Sequence, residues 1–236
     1  MRVDAVTLPD LQAAAPQVAI VPVGAFEQHG AHLPYATDSL IAQALAQALA
    51  ERLPALVLPV LPFSCSHEHA GFPYAVSLGS QTLIAVINDI VRSLERSGVV
   101  LTVLLNAHGG NYVLGNVVQE LNQDRLRVVM VPTRQQWQQA IAQAGLATNP
   151  SADMHGGELE TSLLLATQPD VVRPELAHDH EATERPWLTV LGMRHYTPTG
   201  IIGRPSQASA AKGQRLLAGL ADAMAHDLAT FVKIKG

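Results

Sequence analysis

Residues 18–38 read VAIVPVGAFEQHGAHLPYATD, an uncharged apolar run closed by Gly24 and followed by a glutamate, two histidines and an aspartate. The run VAIVPV suits a strand buried on both faces, the pattern of strands in a parallel sheet covered by helices. The stretch from Glu27 to Asp38 holds glycine and proline and too few apolar side chains for a regular element. It reads as a functional loop leaving the end of that strand.

The same unit recurs downstream. Ser39 to Arg52 keeps apolar residues at helical spacing, with Asp38 placed as its N-cap. LVLPVL at 56–61 reads as a strand, 82–98 as a helix stopped by glycine, and VVLTVLLN at 99–106 as a second fully buried strand. HGGN follows it directly, then a helix over 112–122, a strand RVVMVP at 127–132 and a polar helix at 133–145. Beyond Pro150 the pattern is irregular until a long amphipathic helix over 206–233. Alternating buried strands and amphipathic helices predict an α/β fold, with a mostly parallel central sheet covered by helices on both faces. In such sheets reactive groups collect outside the carboxyl ends of the strands, which is where both polar motifs fall. A single domain over 1–236 is expected, since a chain of this length buries one core without splitting.

Composition narrows the function. Hydrophobic residues make up 48% and charged ones 15%, which excludes general disorder. Fifteen basic against twenty acidic side chains give a net charge of −5 without a basic cluster, so neither nucleic acid nor an anionic membrane is an expected partner. Cys65 is the single cysteine, which excludes an internal disulfide framework and suits a reducing compartment. No signal core or membrane-length apolar stretch is present, so a soluble, cytoplasmic protein is expected.

Four clusters carry chemistry: Glu27, His29, His32 and Asp38; His67, Glu68 and His69; His108 in NAHGGN; and His155, Glu158 and Glu160 in MHGGELETS. A lone histidine is usually a satisfied core or surface residue, and Asp38 or Glu160 would serve a helix start without any further role. Glu27 is harder to dismiss, because a carboxylate directly after a buried strand needs a partner. Imidazole and carboxylate without cysteine form a ligand set for Zn²⁺, Mn²⁺ or Fe²⁺, and the carboxylates outnumber the needs of one tetrahedral zinc. The residues alone leave room for two divalent ions and do not choose among zinc, manganese and iron; with the family resemblance described next, two ions per chain are expected, zinc ahead of manganese or iron.

The motifs GAFEQHGAHLPYATD, NAHGGN and HGGELETS, in this order, resemble the creatininase family of metal-dependent amidohydrolases, as does GIIGRPSQASAAKG at 200–213. The resemblance implies a three-layer α/β/α sandwich, a homohexamer, and a dinuclear centre that activates water to cleave a C–N bond in a small cyclic or linear amide. Carried over by position, it makes Glu27 and His108 ligands of one ion, His29 a ligand of the other, and Asp38 the bridge. Creatininase itself has a ligand glutamate two residues after the equivalent of His108, where this chain has Gly110; Glu158 is the expected substitute. His155 matches the family's proton shuttle and Glu160 the carboxylate beside it. His69 and Tyr74 are expected to line the pocket, and His32 to hydrogen-bond the loop.

Creatinine is not the expected substrate, because the tryptophan that encloses that ring in creatininase is replaced by Ser151, four residues before His155. A generic small amide ranks first. A peptidase trimming a modified peptide of the mycofactocin type and a pyrimidine-nucleotide formamide deformylase are the enzyme alternatives. A non-catalytic metal-binding scaffold is the competing class, opposed by the presence of every expected ligand and of His155.

Overall fold

The computed structural model of the chain describes residues 6–149 and 151–234. After a short helix α1 (Leu8–Ala14), the chain enters β1 (Val18–Val23), all of whose residues are buried. Helix α2 (Thr37–Ala50) leads to β2 (Leu56–Val57), α3 (Ser80–Arg96) to β3 (Leu101–Asn106), and α4 (Leu114–Leu121) to β4 (Val128–Val131). The four strands pair in parallel in the order β2-β1-β3-β4. Val18 lies opposite Leu101 and Val23 opposite Asn106, so β1 and β3 end level and release their loops side by side. Four further helices follow, α5 (Arg134–Ala144), α6 (Glu158–Thr167), α7 (Leu188–Leu191) and α8 (Ala210–Ile234).

The two-residue period of the strands divides the interior into two cores. Val18 and Ile20 of β1 join Leu101, Val103 and Leu105 of β3 beneath α2, α5, α6 and α8. Ala19, Val21 and Val23 point the other way and join Leu104 beneath α3 and α4, where Leu83, Ile87 and Leu114 are fully buried. The result is the expected three-layer α/β/α sandwich.

Some boundaries differ from the sequence expectation. β2 stops at Val57, because Pro59 and Pro62 lack the N–H that a ladder requires, and the segment rejoins the sheet only through a Val23–Leu61 bridge. The last helix starts at Ala210, after a 3₁₀ turn at Pro205–Gln207. Helix α2 starts at Thr37 with Ala36 in the cap position, so Asp38 lies inside the first turn and does not cap it. That shift frees both Asp38 oxygens from the helix end.

Candidate metal centre

The loop after β1 folds back on itself. The Glu27 N–H donates to the Tyr35 carbonyl at 3.1 Å, His29 bridges Leu33, and Gly30 makes the turn with φ +71, a conformation that costs glycine nothing. This hairpin returns the chain so that Asp38, at the start of α2, faces Glu27 and His29. The level ends of β1 and β3 bring His108 beside them.

Each imidazole is oriented by a backbone carbonyl. His29 donates Nδ1–H to the Glu27 carbonyl at 3.1 Å, which turns Nε2 to within 3.6 Å of Asp38 Oδ1 and 3.7 Å of Glu160 Oε1. His108 donates Nε2–H to the Cys65 carbonyl at 2.8 Å, which turns Nδ1 to within 3.4 Å of Glu27 Oε1 and 3.8 Å of Asp38 Oδ2. Asp38 therefore offers one oxygen to each ring. Both oxygens of Glu27, Nε2 of His29 and Oδ2 of Asp38 are buried without a hydrogen-bond partner. Buried polar atoms normally find partners, and orphans facing one another are what a ligand shell looks like before a cation is added. Three groupings have their ligand atoms within 4.8 Å: Glu27 with Glu68 and His108, His29 with Asp38 and Glu160, and Glu27 with His29 and His155. The donor set fits divalent ions.

The charges support the same reading. Burial, reinforced by the neighbouring Asp38 carboxylate and only partly offset by His108 and His29, pushes the Glu27 carboxyl up to about 8. Burial works against a charged His29, yet Asp38 and Glu160 hold that ring well above its ordinary range. Burial is likewise overcome at His108 by Glu27, Asp38 and Glu68, which raise it. Without cations, protons on these rings balance the surrounding carboxylates, and divalent ions would take that place.

His155 stacks on His29, with ring centroids 4.0 Å apart and planes at 33°. It donates Nε2–H to the Gln28 carbonyl at 2.5 Å, leaving Nδ1 3.8 Å from Glu27 Oε1. Burial and the neighbouring His29 push it down to about 4, so the ring is neutral near pH 7. Glu160, besides facing His29, accepts from the Gly156 N–H at 2.6 Å and so ties the loop before α6 to the centre.

Glu158 departs from the expectation. Its carboxylate points away from the cluster and accepts from Ala147 N at 3.0 Å, Thr148 N at 2.7 Å and Thr148 Oγ1 at 2.5 Å, and it pairs with Lys212 Nζ at 2.5 Å. Residues two apart on a helix project about 200° from each other, so the first turn of α6 can send only one of Glu158 and Glu160 inward. The inward one is Glu160. Tyr74 also departs from the expectation, being 82% exposed at φ +63 instead of lining the pocket. His32 stays out of the cluster, and its ring pairs with Thr161 Oγ1 of α6 at 3.0 Å, where a bond to its own loop was expected.

Two residues of the centre were given no ligand role by sequence reasoning. Glu68, on the 3₁₀ turn His67–His69, lies 3.6 Å from His108 Nε2. Gln28 accepts from the Gly30 N–H at 2.9 Å and donates its amide to His69 Nδ1 at 3.2 Å. That bond leaves a neutral His69 with its proton on Nε2, 3.1 Å from Glu27 Oε1. A cavity of about 260 Å³ opens onto the cluster, walled by Glu68, His69, Tyr112, Met154 and Leu188. A second of about 210 Å³ shares His108, Met154, His155 and Glu160 with the first and extends beside Pro132, Trp137 and Leu159.

A family model described as creatininase, creatinine amidohydrolase, matches residues 4–228. The mycofactocin precursor peptide peptidase of Mycolicibacterium smegmatis is 34% identical over 84% of this chain and 79% of its own length. The creatinine amidohydrolase of Pseudomonas putida is 32% identical over 90% of each. A crystal structure of creatinine amidohydrolase (creatininase) superposes with a TM-score of 0.84 at 31% identity, covering 97% of this chain and 96% of that one.

Proposed function

Because this chain belongs to the creatininase family of amidohydrolases, we propose that it hydrolyses the C–N bond of a small linear or cyclic amide at a two-cation centre. The observation that carries this reading is the set of buried, unpartnered atoms on Glu27, His29 and Asp38 that face one another with His108 beside them. We assign Glu27 and His108 to one ion, His29 and Glu160 to the other, and Asp38 to both; Glu160 takes the place expected for Glu158 as a ligand of the second ion. The nitrogen and oxygen donor set suits zinc first, with manganese and iron as alternatives. When bound, the two ions would polarise the scissile carbonyl and lower the pKa of a water between them.

The chain's own groups supply the rest. The Gln28 carbonyl occupies His155 Nε2–H, so proton exchange is confined to Nδ1, which faces the centre. A ring that is neutral at rest accepts the proton released by the attacking water at Nδ1 and passes it to the departing nitrogen, a step amines require because they leave poorly as anions. Met154 and Leu188 in the cavity wall limit bulk water at the reacting groups.

A second reading, trimming of a short peptide, is favoured by the 34% identity to the mycofactocin peptidase and by Ser151 standing where a ring-enclosing tryptophan is expected. A panel of cyclic amides, formamides and short peptides, assayed against metal-loaded and chelator-treated protein, separates the two. Protein that binds no metal and whose activity ignores chelators would refute the enzyme reading. A homohexamer in the cytoplasm remains part of the proposal, and light scattering on the purified protein measures its mass.

A further inference from the structure

We propose that Glu68, from the 3₁₀ turn His67–His69, completes the shell of the ion held by Glu27 and His108, reaching it through space that glycine leaves open at position 110. The inference rests on the two-cation reading above. A Cβ built on Gly110 would lie 2.0 Å from Glu68 Oε1 and 2.8 Å from its carboxyl carbon, so the Glu68 carboxylate fills the place where a side chain at 110 would begin. The absence of that side chain is what admits Glu68 to the centre. One of its oxygens, one from Glu27 and one ring nitrogen of His108 lie within 4.8 Å of one another.

The backbone holds Glu68 there. Cys65, three residues earlier, is bound to the His108 loop by both of its main-chain groups: its N–H donates to Asn111 Oδ1 at 3.0 Å and its carbonyl accepts from His108 Nε2 at 2.8 Å. Asn111 is itself fixed by its amide donating to Asn106 Oδ1 at 2.9 Å. The turn that carries Glu68 and the loop that carries His108 are thus one hydrogen-bonded unit, and a side chain on the first is delivered to the second without a flexible linker. His69, the other candidate on the turn, is excluded as a ligand because its Nδ1 takes the Gln28 amide and its Nε2 carries the proton.

The carboxylate count is consistent with this assignment. With Glu68, one ion would have Glu27, Glu68 and His108, which group together, and the Asp38 oxygen that lies 3.8 Å from His108 Nδ1; the other would have His29, Glu160 and the second Asp38 oxygen. Without it, that ion would have two dedicated ligands and the shared aspartate, and the Glu68 carboxylate, 3.6 Å from His108 Nε2, would act on the centre only through the charge it sets beside that ring.

The test is metal content and affinity by elemental analysis and competition with a chromogenic chelator, using zinc as the probe. Wild type is expected to hold two ions per chain. Glu68→Gln, which preserves shape, is expected to keep one ion at wild-type affinity and to weaken the other at least 10-fold, with Glu68→Ala behaving alike. Glu160→Gln should weaken the complementary ion, and the double variant should lose both. Retention of one tight ion shows that the single variants fold. Two ions at unchanged affinity in both Glu68 variants overturn the assignment while leaving the two-cation reading intact, and simultaneous loss of both ions overturns the assignment to one shell. A wild-type protein that binds no zinc overturns the two-cation reading and this proposal together.

Discussion

Glu158→Gln is expected to destabilise the chain by about 3 kcal/mol while leaving its metal content unchanged. Glu158 is fully buried, accepts three hydrogen bonds from Ala147 and Thr148, and pairs with Lys212, whose side chain keeps 20% of its surface exposed. The amide retains one acceptor oxygen, turns an NH₂ towards one of the donors and loses the charge. Breaking a buried pair costs roughly 3–5 kcal/mol, and the partial exposure of Lys212 places this case at the lower end. For a chain of this size each kcal/mol moves Tm by about 2–4 °C, so thermal unfolding followed by circular dichroism should show a fall of roughly 6–12 °C near neutral pH. Acid should close the gap. Burial alone would raise Glu158, but Lys212 and the donors of Thr148 and Ala147 hold it below the ordinary carboxylate range. A carboxyl depressed in the folded state contributes its full stability above the unfolded value near ~4.3, and loses it as pH falls through the lower folded value. The difference between wild type and variant should therefore shrink on acidification below about pH 4. An unchanged Tm, or one ion fewer per chain, would refute the separation of Glu158 from the centre.

Asp38→Ala should remove both ions, because the residue offers an oxygen to each imidazole; two ions retained by elemental analysis would rule out its bridging role. His155→Asn should keep both ions and lower kcat by about 10²–10⁴-fold on whichever amide the wild type cleaves, the range for losing a general acid–base group. A variant with unchanged kcat would remove His155 from the proton path. Gly110→Ala places a methyl carbon 2.0 Å from Glu68 Oε1 and 2.4 Å from His108 Nε2, so something must move. Overpacking of this kind costs about 1–3 kcal/mol, and calorimetric titration with zinc should also show weakened binding to one ion's shell. Wild-type stability and affinity together would show that the gap at 110 is not needed.

The fold was legible because each strand is a short uncharged run and each crossover a helix with apolar residues at helical spacing, a pattern with few alternative topologies. Pro59 and Pro62 hid nothing, yet a run rich in leucine and valine reads as a strand unless the missing N–H donors are counted. Glu27, His29, Asp38 and His108 were readable because they follow the two central strands, whose common register brings their ends together. The misassignment of Glu158 is a matter of helix phase. HGGELETS offers two glutamates, and which one faces inward depends on where α6 begins and on Lys212, which arrives from α8 far along the chain. Glu68 was visible as a residue but not as a neighbour of His108, since its approach depends on the packing of two loops more than forty residues apart and on a missing Cβ.

The tautomers explain a further part that sequence cannot carry. His29, His108 and His155 each donate one ring N–H to a main-chain carbonyl, those of Glu27, Cys65 and Gln28, and each turns its other nitrogen to the common centre. A carbonyl is available at every residue, so no side-chain motif records this support. It depends only on the path of the loops after β1 and after β2, and that path is fixed by the sheet register and by the Asn111 clamp on Cys65. The orienting groups of this centre are therefore properties of the fold, while the groups that would touch the cations and substrate are properties of the sequence. That division accounts for motifs pointing to the polar side chains of the β1 and β3 loops while leaving open which carboxylates from neighbouring segments face them.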